Sequence, residues 1–167
     1  SIDLVLYILV VFVLIFLSAL VSGSEVSFFS LNSQNLEDLS KIDEKKEKKI
    51  RNLLKNPNKL LATILIANNF INVAIIILSS YLTSKLFSFE NGGTFQFIIQ
   101  VIVITFILVL LGEITPKVYA KKNAVSFSKK MTPIIVLFNW IFTPIAFVLT
   151  STTSFIDKRL KQKSADI

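Results

Sequence analysis

Glu113 sits where a carboxylate is hardest to keep. It closes the apolar run Phe95 to Leu111, within the stretch Leu110-Leu111-Gly112-Glu113-Ile114-Thr115-Pro116-Lys117. An ionisable group at the end of a lipid-length segment is retained where it has a task, commonly on an ion or proton pathway. Gly112 weakens the helix beside it, and Pro116 lacks the N–H that would bond a carbonyl in the preceding turn. Carbonyls freed at membrane depth are tolerated only where protein or a cavity receives them. A carboxylate next to freed carbonyls is the chemistry of a cation site.

Two other apolar blocks carry polar pairs at helical spacing. Ser18 and Ser22 lie four residues apart, as do Asn68 and Asn72, so each pair shares one helix face at about 6 Å separation. Two hydroxyls, two amide carbonyls, one carboxylate and the carbonyls near Gly112 make about six oxygen ligands, which suits Mg²⁺, an ion that usually retains several waters. With a single negative charge among the ligands, binding is weak and reversible, and Na⁺ fits that charge as well. The candidate metal ligands are therefore Ser18, Ser22, Asn68, Asn72, Gly112 and Glu113. The competing reading is packing, since Ser and Asn also join membrane helices for about 1 kcal/mol or less. That reading is weakest for Glu113. Glu25 is placed at the interface without a role, and the 15 Phe residues are taken as lipid-facing and packing side chains.

Composition narrows the chemistry further. The chain has no Cys and no His, which removes disulfides, thiolate metal sites, zinc chemistry and Ser–His triads. A metal must be held by oxygen, and so is a hard cation. A membrane enzyme would need a Ser–Lys or carboxylate pair, and no Lys lies within a span, so the chain is not expected to be an enzyme. The net charge of +7 comes without a recognition motif for nucleic acid. Basic residues flanking membrane segments serve instead as topology signals and contacts to anionic lipid.

Of the 167 residues, 53% are hydrophobic, above the usual soluble share, and they fall into long blocks separated from the charges. The expected fold is an all-α integral membrane domain, a single unit over residues 1–167. It has three transmembrane helices at about 4–31, 59–83 and 95–116, and a kinked juxtamembrane helical belt at 124–156. The first block is not read as a cleaved signal, because no Lys or Arg precedes it. Residues 33–58 form a charged hairpin of two short amphipathic helices, with Leu36, Leu39, Ile42, Ile50, Leu53 and Leu54 as its apolar stripe. Pro57 is placed to start the next helix, and Asn91-Gly92-Gly93 to tip the turn after it.

Topology follows from the basic residues. Of the 18, only Lys85 lies between the second and third spans, so the hairpin and the cluster from Lys117 to Lys130 are cytoplasmic and the N-terminus is outside. The block Met131 to Thr150 has basic clusters at both ends. Pro133 and Pro144 divide it into pieces of roughly ten residues, too short to span. A belt on the cytoplasmic side is preferred there over a fourth span, and the chain ends inside in a charged helix around Lys158 to Lys163. Counting ~1.5 Å per residue, Asn68 and Asn72 lie roughly 13 and 20 Å from the cytoplasmic edge, and Ser18 falls in the same half of the membrane. Glu113 counts shallower unless tilt or a helix break carries it inward.

Leu17-Ser18-Ala19-Leu20-Val21-Ser22-Gly23-Ser24-Glu25 resembles the first-helix signature of the CorC/cyclin M (CNNM) magnesium transporters. Asn68 and Asn72 resemble that family's paired Asn in the second helix, and Gly112-Glu113-Ile114-Thr115-Pro116-Lys117 its Gly-Glu-x-x-Pro motif. The resemblance runs in order along essentially the whole chain. It implies a homodimer of the plasma membrane that holds dehydrated Mg²⁺ between its helices and exports it, driven by Na⁺ influx. It also implies cytosolic CBS-type domains beyond residue 167. From the residues alone, a non-transporting scaffold whose polar side chains pack a dimer remains the alternative.

Overall fold

The computed structural model describes residues 2–86, 93–148 and 151. Among them no strand occurs. Three helices are long and apolar enough to cross a membrane: Asp3–Phe29, Pro57–Leu86 and Gly93–Lys122. The chain is an all-α membrane domain. Residues 87–92, which hold Glu90, Asn91 and Gly92 of the expected turn, lie outside the described residues, as do the belt's end at 152–156 and the charged helix around Lys158 to Lys163.

Helix α1 (Ile2–Phe29) has 28 residues, about 42 Å at 1.5 Å per residue, ample for a ~30 Å hydrocarbon core. It gives way to the hairpin of α2 (Ser33–Ile42) and α3 (Glu44–Leu54). Asn32 and Asn35 start α2 with a reciprocal cap: Asn32 Oδ1 accepts from the Asn35 N–H at 2.8 Å and Asn35 Oδ1 accepts from the Asn32 N–H at 3.1 Å. Asp43 separates the two helices and serves both. Its N–H donates to the Leu39 carbonyl at 2.8 Å, and its carboxylate accepts from the Lys46 N–H at 3.1 Å, the favoured place for a negative charge. Leu36, Leu39, Ile50 and Leu53 are buried as expected, but Ile42 is 78% exposed. It stands at the last turn of α2, where the chain turns at Asp43.

Helix α4 (Pro57–Leu86) starts at Pro57, with Asn56 Oδ1 accepting from the Lys59 N–H at 3.2 Å. It is the central helix: 33% of its apolar window is buried, against 11% for each of the other two long helices. Leu60, Ile64, Ala67, Ile71 and Ile75 form its core face, packed with Val21 and Phe28 of α1.

The third long helix differs from expectation. It runs through α5 (Gly93–Ile107), a π-helical segment (Leu108–Ile114) and α6 (Thr115–Lys122) without stopping at Pro116. In the wide segment the Thr115 N–H donates to the carbonyl of Leu110, five residues back. Pro116 then falls in the first turn of α6, where a missing N–H is tolerated. The register shift lets the helix pass a proline that would otherwise break it.

Helix α7 (Ala124–Ile141) contains Pro133 as an interior residue, so the break expected at Pro133 does not occur. The lost bond costs about 3 kcal/mol. Burial of Met131, Thr132 and Ile135 offsets it. The break expected near Pro144 is present: the chain turns at Phe142, and residues 143–148 are helical again with Pro144 in the first turn. Gly23 allows α6 and α7 to approach α1, because a Cβ there would stand 2.6 Å from Phe127 Cζ and 3.3 Å from Ala120 Cβ. Thr63 Oγ1 donates to Asn139 Oδ1 at 3.3 Å, tying α7 to α4.

Candidate cation site

Three helices bring the polar residues together. Ser18 faces inward from α1 and is fully buried. Its Oγ lies 2.6 Å from Asn72 Oδ1 and 3.2 Å from Asn68 Oδ1, both on α4. Asn72 Nδ2 donates to Glu113 Oε1 at 3.3 Å. Glu113 belongs to the π segment, as does Gly112, which is buried against α1. A Cβ on Gly112 would stand 3.2 Å from Ser18 Oγ and 3.8 Å from Ser18 Cβ. The close passage of the two helices thus depends on the glycine.

The π segment does more than admit Pro116. Pro116 can satisfy neither the Leu111 carbonyl in the π register nor the Gly112 carbonyl in the α register, having no N–H. At least one carbonyl beside Glu113 therefore lacks its ladder partner. Asn68, Asn72 and Glu113 are only partly buried, so the cluster has a route to solvent or lipid on one side.

Of the six sequence candidates, Ser18, Asn68, Asn72, Gly112 and Glu113 meet in one place. Ser22 stands one turn further along α1. It is 1% exposed, and its hydroxyl has no hydrogen-bond partner among the described residues. A buried hydroxyl without a partner is a destabilising arrangement, and native structures usually supply a water or an ion there. The carboxylates do not crowd: among the described residues no three acidic side chains gather in one place. Any cation here relies on neutral oxygens and one charge.

One pair escaped the sequence reading. Lys117 Nζ lies 2.9 Å from Glu25 Oε2, linking α6 to α1. The signal was present: Glu25 follows Ser22 by three residues and Lys117 follows Glu113 by four. The pair therefore sits about one turn beyond Glu113 on the third long helix and about two turns beyond Ser18 on α1. It lies in a cleft of ≈ 600 Å³ whose lining includes Val26, Phe29, Leu61 and Lys121.

A family model described as the cyclin M transmembrane N-terminal domain matches residues 9–166. The chain is 31% identical over 153 residues to a UPF0053 protein of Haemophilus influenzae, with 92% of this chain and 35% of that one covered. It is 26% identical over 152 residues to the UPF0053 inner membrane protein YfjD of Escherichia coli, covering 89% and 33%. To the metal transporter cnnm-4 of Caenorhabditis elegans it is 27% identical over 155 residues, covering 90% and 31%. The chain spans about a third of the length of these relatives.

Proposed function

The chain belongs to the cyclin M transmembrane family, and from that premise we propose that it binds dehydrated magnesium between its helices from the cytoplasmic side and exports it, coupled to sodium influx. The observation that carries this reading is the meeting of Ser18 Oγ with both Asn68 Oδ1 and Asn72 Oδ1 beside Glu113. A serine hydroxyl has one hydrogen, so it can donate well to only one of the two carbonyls. A cation among these oxygens satisfies them together. The separations of 2.6 and 3.2 Å bracket about 3.0 Å, the edge of an octahedron whose oxygens stand ~2.1 Å from Mg²⁺. That a relative is named a metal transporter supports the class of cargo.

In this reading the domain is a homodimer in the plasma membrane, N-terminus outside and C-terminus cytoplasmic, joined to cytosolic CBS-type domains. Its exposed apolar side chains, such as Phe12, Phe16, Phe70 and Phe106, suit lipid and a second copy. Residues from Ala124 onward act as the cytoplasmic-side belt. Magnesium efflux from loaded liposomes is the test. Glu113→Ala and Asn72→Ala are each expected to abolish it, and unchanged efflux in both would end the site assignment.

A second reading draws on the same 2.6 Å bond between Ser18 and Asn72: a scaffold whose polar side chains only join helices. It expects the wild-type protein itself to show no metal-dependent stabilisation.

A further inference from the structure

We infer that Lys117 is a built-in competitor for Glu113, and that Glu25 keeps the site open to a cation by holding Lys117 aside. The inference rests on Glu113 being a cation ligand, as proposed above. Lys117 follows Glu113 by four residues, the spacing at which side chains on one helix face meet. Helical side chains lean toward the N-terminus, so a Lys117 left without another partner would bring its ammonium toward Glu113. Glu preceding Lys at this spacing is also the favourable order for an ion pair. Left to local geometry, the single carboxylate of the site would be neutralised by its own helix.

The structure has a different pairing. Lys117 Nζ crosses to Glu25 Oε2 at 2.9 Å, with side chains 37% and 28% exposed, and Glu113 is left to Asn72. The half-buried setting protects the Glu25–Lys117 pair from much of the screening that weakens surface pairs. Its two partners sit on α1, which also presents Ser18, and on α6, which continues directly from the π segment that presents Glu113. A relative shift of those helices that separates Glu25 from Lys117 returns the ammonium to Glu113. The tethered charge then takes the place of the departing cation. Glu25 is thus a positioning residue that acts on the site through Lys117.

The test measures Mg²⁺ affinity of the full chain in lipid nanodiscs by titration. Glu25→Gln is expected to weaken Mg²⁺ binding by about tenfold, the factor carried by ~1.4 kcal/mol, because Lys117 is released onto Glu113. Adding Lys117→Met to Glu25→Gln is expected to restore the affinity, and Lys117→Met alone to tighten it. Glu25→Asp, which keeps the charge, is expected to stay within about threefold of wild type. A merely structural role for the pair predicts instead that the double variant binds no better than Glu25→Gln. That result, or unchanged affinity in Glu25→Gln, overturns the inference. Glu113→Gln separates the two claims: unchanged Mg²⁺ affinity there removes the cation site itself, whatever the Glu25 variants do.

Discussion

Gly112 shows how finely the cluster is built. Its hydrogen is all that separates the π segment from the Ser18 hydroxyl, since a Cβ would approach Oγ to 3.2 Å. Contacts that tight force a neighbour to move by a few tenths of an ångström, and Ser18 is fully buried with little room to give. Gly112→Ala is therefore expected to lengthen the Ser18–Asn72 contact and weaken Mg²⁺ binding about tenfold or more, measured by titration. Ser22→Ala has the opposite character. Its hydroxyl is buried without a partner, so removing it is expected to leave thermal stability equal or raised. A clear loss of Mg²⁺ affinity in that variant would identify Ser22 as a ligand after all. At this scale the sequence is informative wherever spacing decides the face: Ser18 with Ser22 and Asn68 with Asn72 pair from helical periodicity, while Glu113 stands out by its charge in an apolar run. For the Glu25–Lys117 pair, spacing shows only that each charge lies beyond the polar positions of its own helix; that the two meet depends on how α1 and α6 are rotated about their axes.

Among the elements, the π segment matters most. Proline in a long apolar run reads as a helix end, and Pro116 was expected to be one. The widened turn from Leu108 to Ile114 converts it into a register change within one rod, while still removing a ladder bond beside Glu113. No local residue pattern distinguishes these outcomes, since both follow from the same missing N–H. Pro116→Ala restores that N–H. It is expected to preserve or raise stability while lowering Mg²⁺ affinity, as the freed carbonyl returns to the ladder. Loss of stability with unchanged affinity would mean that the carbonyl has no part in the site. The hairpin is the most legible element, because an apolar stripe at helical spacing within a charged stretch is a short-range signal; its caps at Asn32 and Asp43 are seen only in the structure. Asp43→Ala is expected to destabilise it by about 1 kcal/mol, seen as faster amide exchange in α3 without a change in cation affinity. Helix α7 runs through Pro133 because tertiary burial of its neighbours, invisible in a local sequence window, outweighs the proline.

For the molecule as a whole, burial and charge point the same way. Little of the apolar window of α1 or of the third long helix is buried within the domain, and many large apolar side chains point outward. Such a surface requires lipid or another copy around it. Among the described residues, the hairpin, α6 and the start of α7 carry the basic residues at one end, while Lys85 alone marks the other. This asymmetry predicts that a single cysteine placed at Lys48, in a chain with no native Cys, is labelled by an impermeant thiol reagent only from the cytoplasmic face. Labelling from outside would invert the topology and with it the proposed direction of transport. Three helices with a shared polar centre suit alternating access, since small relative movements of α1 against α4 and the π segment change every ligand distance together.

In the proposed function, Glu113, Asn72 and Ser18 together hold one Mg²⁺. The most direct measurement is thermal unfolding of the purified protein across a Mg²⁺ titration, wild type beside Asn72→Ala. Selective binding to the folded state at 100 times Kd adds about 2.7 kcal/mol of stability. The wild type is expected to show a saturable, Mg²⁺-dependent rise in Tm, and Asn72→Ala to lose most of it. A wild-type curve that does not respond to Mg²⁺, or an equal response in both proteins, would contradict the account.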